Sequence, residues 1–388
     1  MGKRKVMYVT GTRADFGLMA STLQQIAAHP ALELQVVVTG MHLSATYGMT
    51  VREIEALDLP IVARIPTDVE ERSPAAMAAG IGAMIIGLTR AMGDARPDLV
   101  MVIGDRGEML AAAIAAIHLG VPVVHLHGGE RSGTVDEPVR HAITKLSHWH
   151  FVATEESRER VVRLGERAEH VWITGAPSLD GLAELAAVPR ERVLTDLGLP
   201  AGSRYVLVLF HPVVQEMDDA GRQTTVLAEA LVDALAGPAR GGDGSQTHIV
   251  WLDPNADAGS GGIVSALASI QSERLRRITH LPRPLFVAAL AQADALVGNS
   301  SAGIIESASF GTPVVNIGNR QRARERNLNT TDCDVSREAI AQAVKGCIAH
   351  GRFPPRNRYG DGHAGERITR LLATLPIEPG LLDKINTF

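Results

Sequence analysis

Short apolar runs rich in Val, Ile, Leu and Met recur along the chain. Each is followed by a small or polar turn and then by a longer stretch with helical spacing. Val6-Met7-Tyr8-Val9 leads through Gly11 to a predicted helix over 18–28. Leu34–Val38 ends at Gly40. Leu99–Ile103 ends at Gly104-Asp105, and a predicted helix over 108–118 follows. Val121–Val124 then runs into His125–Gly129. Continuous aliphatic runs bounded by turns read as parallel strands buried on both faces. Their alternation with helices predicts right-handed βαβ crossovers and an open, doubly wound sheet.

The pattern then restarts. Residues 186–204 carry Pro189, Gly198, Pro200 and Gly202 and read as a connector with a short helix. Tyr205–Phe210 is a new strand ending at His211-Pro212. His248–Leu252 ends at Asp253-Pro254-Asn255, Ala295–Val297 at Gly298-Asn299-Ser300-Ser301, and Pro313–Ile317 at Gly318-Asn319-Arg320. Gly237–Ser245 is glycine-rich and reads as a surface loop. Polar residues gather just after strand ends, where open α/β sheets bind ligands. Two such carboxyl edges predict a two-domain enzyme with its site in an interdomain cleft.

Length and composition agree with that outline. A chain of 388 residues exceeds what one core of about 250–300 residues fills. The net charge of -5 and an aromatic content of 4% argue against a nucleic-acid or anionic-lipid surface, so local basic residues must hold any phosphate. Cys333 and Cys347 are too few for a disulfide framework and lack metal-ligand spacing. The first apolar run is too short for a signal peptide, and no stretch approaches the roughly 18 apolar residues of a membrane span. A cytoplasmic location follows by elimination.

Several turns carry candidate chemistry. Gly298–Gly303, between a strand and a predicted helix over 304–308, offers free backbone N–H groups and serine hydroxyls to a phosphate; the plainer alternative is helix capping by Asn or Ser. Glu306 falls near the ligand-facing end of that helix. Gly11–Gly17 lacks G-x-G-x-x-G spacing, which argues against a dinucleotide, while Arg13 in a glycine-flanked loop suits a diphosphate or pairs with Asp15. Asp105 sits at a strand end, either as a site carboxylate or as a helix cap. His125 and His127 alternate along a strand and so share a face. Asp136 and Glu137 open another helix, with Pro138 in its first turn and His141 and Lys145 one turn apart. Six histidines, at 118, 125, 127, 141, 148 and 150, crowd one stretch without H-E-x-x-H or a nearby cysteine, so a catalytic metal is not expected. His148 and His150, flanking Trp149, read as packing or surface residues.

Taken in order, these segments resemble the hydrolysing UDP-N-acetylglucosamine 2-epimerases, which make free N-acetylmannosamine for sialic-acid synthesis. The resemblance rests on Gly11–Asp15, Thr39–His42, Gly104-Asp105-Arg106, His125–Glu130 and Asp136–Lys145. In the second half it rests on Phe210-His211-Pro212, Pro254–Ser260, Asn299–Glu306 and Asn316–Gln321. It implies an α/β GT-B fold of two Rossmann-like domains, 1–188 and 189–364, with 365–388 returning to the first. It implies a catalytic set of Asp105, His127, Asp136, Glu137 and His211, and a substrate set of Arg13, Arg106, Glu130, Asn255, Ser300, Ser301, Gly303, Glu306 and Arg320. Within the latter, Arg13, Ser300 and Ser301, together with His211, would contact the diphosphate and Glu306 the ribose. Many relatives carry glutamate where this chain has His127. The resemblance further implies a nucleotide-sugar substrate, no cofactor or metal, and a homodimer. Related readings are the epimerase of legionaminic-acid synthesis, a GT-B glycosyltransferase, and a nucleotide-sugar binding protein without catalysis.

Overall fold

The computed structural model describes residues 2–71, 73–131, 136–236, 246–254 and 257–387, apart from the Asp136 side chain. The expected loop at 237–245 and Asn255 lie outside the described residues. The chain forms two compact units, one drawn from 1–130, 135–180 and 359–388, the other built mainly of Gly181–Arg358. Both are Rossmann-like parallel sheets of the GT-B type.

The first unit runs β1 (Arg4–Thr10), α1 (Arg13–Ala28), β2 (Leu32–Thr39), α2 (Val51–Glu55), β3 (Ile61–Ile65), α3 (Pro74–Ala95), β4 (Leu99–Ile103), α4 (Gly107–His118), β5 (Val123–Leu126), α5 (Asp136–Leu146), β6 (Trp149–Val152), α6 (Glu155–Arg163) and β7 (Val171–Ile173). Its seven strands are parallel in the order β3-β2-β1-β4-β5-β6-β7. Val6 to Val9 and Leu99 to Val102 are fully buried, as strands covered on both faces must be. The order reverses between β1 and β4, which makes their carboxyl ends the ligand-binding switch point.

Three local features depart from expectation. Helix α1 begins at Arg13 rather than near Leu18, because Thr12 and Asp15 form a reciprocal capping box that draws 13–17 into the helix. Strand β5 ends at Leu126, so the alternation does not carry on to His127. Helix α3 is 22 residues long and apolar enough, by length and composition, to cross a membrane, contrary to the expected lack of any such stretch. Alanine, isoleucine, methionine and leucine supply that hydropathy together. Its Met84, Leu88, Ala91 and Met92 are buried in the first unit, while only 22% of its most apolar window is covered.

The second unit runs α7 (Leu182–Leu185), α8 (Arg190–Asp196), β8 (Arg204–Leu209), α9 (Ala220–Ala234), β9 (Thr247–Leu252), α10 (Ser260–Ser269), β10 (Leu275–Ile278), α11 (Arg283–Gln292), β11 (Ala295–Gly298), α12 (Ser301–Ile305), β12 (Val314–Ile317), β13 (Thr330–Cys333) and α13 (Arg337–His350). The parallel order β10-β9-β8-β11-β12-β13 repeats the first topology, with its switch point between β8 and β11. The chain then returns to the first unit as α14 (Ala364–Thr374). Asp180 accepts from the Ala364 and Gly365 amides, satisfying the donors that α14 leaves unpaired at its start. Ala364, Ile368 and Leu372 join the first core.

Candidate functional site

At the first switch point the turn after β4 presents Asp105, whose side chain is 22% exposed. Arg140 of α5, 1% exposed, donates one guanidinium nitrogen to the Asp105 carboxylate and another to the Glu130 carbonyl at 2.8 Å. The capping alternative for Asp105 does not hold: Arg106 occupies the N-cap position of α4 without a side-chain cap. Arg106 lies instead 3.4 Å from the carboxylate of Glu108. A buried guanidinium fixes the orientation of the Asp105 carboxylate.

His127 follows β5 with its backbone at φ 62°, a left-handed conformation uncommon for a residue with a β-carbon. Such strain concentrates at functional positions because the surroundings must hold it. Here the His127 amide donates to the Phe151 carbonyl at 3.1 Å. Gly129, at φ 75°, lets the backbone pass so close to Ser157 that a β-carbon there would collide with its carbonyl. His127 Nδ1 bonds the Glu130 carboxylate, and both side chains are buried. Its Nε2 is buried without a hydrogen-bond partner among the described residues. The arrangement is a carboxylate-oriented imidazole with one nitrogen available for proton transfer.

His125 does not share that face. Its Nε2 donates to the Gly104 carbonyl at 2.8 Å, so its Nδ1 accepts from the Thr144 hydroxyl at 3.1 Å. Burial pushes it down to about 3, a neutral strut between α5 and the Asp105 turn. On α5, Glu137 and His141 are 3.9 Å apart and partly exposed, and burial lowers the imidazole's pKa. Lys145 points away from this edge and pairs with Glu166 at 2.7 Å. His148 and His150 are packing residues: the former accepts from the Val123 amide at 3.1 Å and the latter bonds Glu166 at 3.0 Å.

Beside these lies a buried cluster that sequence reading did not single out. Asp15 accepts from the hydroxyls of Thr10 and Thr12 and from the amides of Gly11 and Thr12. Burial outweighs those bonds and, with the charge of Glu108 adding, pushes Asp15 up to about 6. His42 bridges Thr10 at 2.9 Å and Thr50 at 2.8 Å, and burial brings it down to about 4. Glu108 packs so tightly on Gly11 that a β-carbon there would stand 2.5 Å from its Cγ. Arg140 was also missed as a site residue. The Thr-x-x-Asp spacing signalled Asp15, but nothing local to the sequence points Arg140 at Asp105.

In the second unit, Asn299 joins the two turns of the switch point. Its side-chain oxygen accepts from the His211 amide and its nitrogen donates to the His211 carbonyl, both at 2.8 Å. Arg320 and Gln321 donate to the Asn299 carbonyl at 3.2 and 3.1 Å. His211, Ser300 and Arg320 are thus brought together, with Ser301 opening α12. Ser300 does cap this helix, accepting from Ala302. Because α12 has five residues, its dipole is small, and any phosphate here relies on local N–H and hydroxyl groups. Gly303 is explained by packing: a β-carbon would stand 2.6 Å from Leu296 and 3.1 Å from Val314. Glu306 lies at the C-cap of α12, not its first turn; it is buried and paired with Arg283 at 2.6 Å. Burial raises its pKa and Arg283 opposes that. The Asp136 side chain and Asn255 are outside the described residues, and among those residues no cluster of His, Cys, Asp and Glu fits a metal ion.

The chain is similar to known proteins along most of its length. The family model described as UDP-N-acetylglucosamine 2-epimerase matches residues 24–373. The chain is 45% identical over 386 residues to the UDP-N,N'-diacetylbacillosamine 2-epimerase (hydrolyzing) of Legionella pneumophila, covering 99% of this chain and 100% of that one. It is 34% identical over 359 residues to the UDP-N-acetylglucosamine 2-epimerase of Neisseria meningitidis, covering 92% and 91%. The crystal structure of UDP-GlcNAc 2-epimerase from Neisseria meningitidis bound to UDP-GlcNAc shares the fold at TM-score 0.77 and 19% identity, over 95% of this chain and 99% of that one.

Proposed function

This chain belongs to the UDP-N-acetylglucosamine 2-epimerase family, and we propose that it is a hydrolysing member that converts UDP-N-acetylglucosamine and water into N-acetylmannosamine and UDP. The observation that carries the residue assignment is the Asp105–Arg140–Glu130–His127 constellation at the first switch point.

The sugar's C2 proton is weakly acidic while the anomeric bond is intact, so inversion is coupled to loss of UDP. A base takes the C2 proton as the C1–O bond breaks, the electron pair leaves with UDP, and a 2-acetamidoglucal forms. Water then adds across the double bond, hydroxyl to C1 and a proton to C2 on the opposite face. Two proton carriers of different environment suit this sequence. Asp105, oriented by Arg140, and His127, oriented by Glu130, supply them, with Asp136 and Glu137 at the start of α5 completing the set. Arg13, His211, Ser300, Ser301 and Arg320 stabilise the departing diphosphate by preorganised donors, with Arg106 and Asn255 in the same substrate set. Turnover in deuterated water should place deuterium at C2, and oxygen-18 water should label C1. Product that keeps its original C2 hydrogen would overturn the elimination route.

A second reading has its own support. The Legionella relative is named for a diacetylated bacillosamine substrate. Parallel assays with UDP-N-acetylglucosamine and UDP-N,N'-diacetylbacillosamine decide between the two by kcat/KM. Release of free sugar without an acceptor separates either from a glycosyltransferase. A cytoplasmic homodimer belongs to the same proposal. The largely uncovered apolar α3, with Ile86 60% exposed, supports self-association. Analytical ultracentrifugation of Ile86→Lys should show monomer where wild type shows dimer.

A further inference from the structure

Beyond α14 the chain continues as a strap, 375–387, across the far end of α5. Three of its described residues stitch it down. Thr387 donates its amide to the Gly165 carbonyl at 3.1 Å, and Lys145 donates to Asn386 at 2.6 Å. Lys384 sends its ammonium to the carbonyls of Thr144 at 3.0 Å, Lys145 at 2.8 Å and Ser147. Those carbonyls belong to the last turn of α5 and its exit, where a helix leaves its acceptors unpaired and favours a cation. The same ammonium lies 2.7 Å from Glu166, whose 3%-exposed carboxylate also takes Lys145 and His150.

The other end of α5 is the reacting end. Glu137 lies in its first turn, Arg140 grips Asp105, and Thr144 contacts His125, which holds the Gly104 carbonyl. An unbroken run of hydrogen bonds therefore leads from the strap, through α5, to the Asp105 turn. We propose that Lys384 is a positioning residue: by capping the C-terminal end of α5 it sets the axial placement of that helix, and with it the Arg140–Asp105 pair and the Glu137 carboxylate. This rests on the epimerase reading for the role of Asp105 and Glu137, but the mechanical coupling does not depend on it. The arrangement goes beyond anchoring a tail, since an apolar contact would anchor it without burying a charge. Burial brings the Lys384 ammonium down to about 8, against the pull of Glu166. Glu166, with three donors, is held down to about 2 despite its own burial.

The test uses full-length Lys384→Met, which keeps the apolar stem and removes the donors, beside Lys384→Arg, which restores a cation and several donors. Hydrogen–deuterium exchange should show α5 amides exchanging at least about tenfold faster in the methionine variant and near wild type in the arginine one. With UDP-N-acetylglucosamine, kcat should fall about tenfold in the methionine variant at unchanged KM, with recovery in the arginine variant, as expected when reacting groups lose alignment. Unchanged α5 exchange in Lys384→Met overturns the proposal whatever the reaction. Loosened α5 with wild-type kcat overturns the positioning role while leaving the epimerase reading intact. Absence of turnover in wild type defeats the epimerase reading, and the exchange comparison still decides the coupling.

Discussion

The two units repeat one topology yet equip their switch points in opposite ways. The first crowds titratable groups there: Asp15, His42, Asp105, Glu108, His127, Glu130 and Arg140, most of them buried, with His127 paired to Glu130 and Arg140 to Asp105. The second presents Asn299, Ser300, Ser301 and the His211 turn, held by amide and carbonyl bonds, with Arg320 as the cation. Burying charge is costly unless partners and hydrogen bonds offset it, so a fold does so where protons or charge must be handled. Binding a diphosphate needs short donors and close approach, which small neutral residues supply without a pKa adjustment. Under the proposed reaction, one scaffold would carry proton chemistry at one carboxyl edge and anion recognition at the other.

The sharpest way to break that contrast is Asp105→Asn. It should lower kcat by about 10²–10⁴-fold, the range for a lost acid–base group, with UDP affinity by calorimetry within about twofold. Loss of UDP binding instead would move Asp105 to the recognition side. The reciprocal change, Ser300→Ala with Ser301→Ala, should raise the UDP dissociation constant about tenfold while saturated kcat stays within a few-fold. Arg13→Ala, at the first unit's own edge, should weaken UDP binding by about 10- to 100-fold. Unchanged affinity there would confine diphosphate recognition to the second unit.

A smaller effect concerns pH. The folded pKa of Asp15, about 6, lies above its ordinary value of 3.8. The native state therefore binds this proton more tightly than the unfolded chain. The Asp15 contribution is favourable at low pH and is lost as pH rises from about 4 through 6, on the order of 2–3 kcal/mol. Amide exchange of α1 should reveal that loss in wild type between pH 4.5 and 7.5 and a flatter response in Asp15→Asn. An identical slope would show that the buried cluster does not tune the first unit. Smallest of all, Gly303→Ala should destabilise the second unit by about 1–3 kcal/mol through its clash with Leu296, leaving UDP affinity of the folded protein unchanged. A selective loss of affinity would return Gly303 to the ligand.

The sequence by itself determined the two rounds of strand and helix, the clustering of polar residues after strand ends, and the family. Those features are local: a strand buried on both faces needs consecutive aliphatic residues, and a turn at its end needs small or polar ones. Even so, the start of α1 was misplaced, because a reciprocal cap between Thr12 and Asp15 overrode the glycine-flanked look of the segment. Only tertiary structure decided that Asp105 meets Arg140 thirty-five residues away, that Glu306 turns inward to Arg283, and that Lys384 reaches α5 across some 240 residues of chain. Partners so far apart leave no periodic trace, since their meeting depends on how the crossovers close and not on spacing. The left-handed His127 belongs with these. Its neighbours Gly128-Gly129 hint at a sharp turn, but only the packed β6–α6 segment beneath holds a histidine in that conformation.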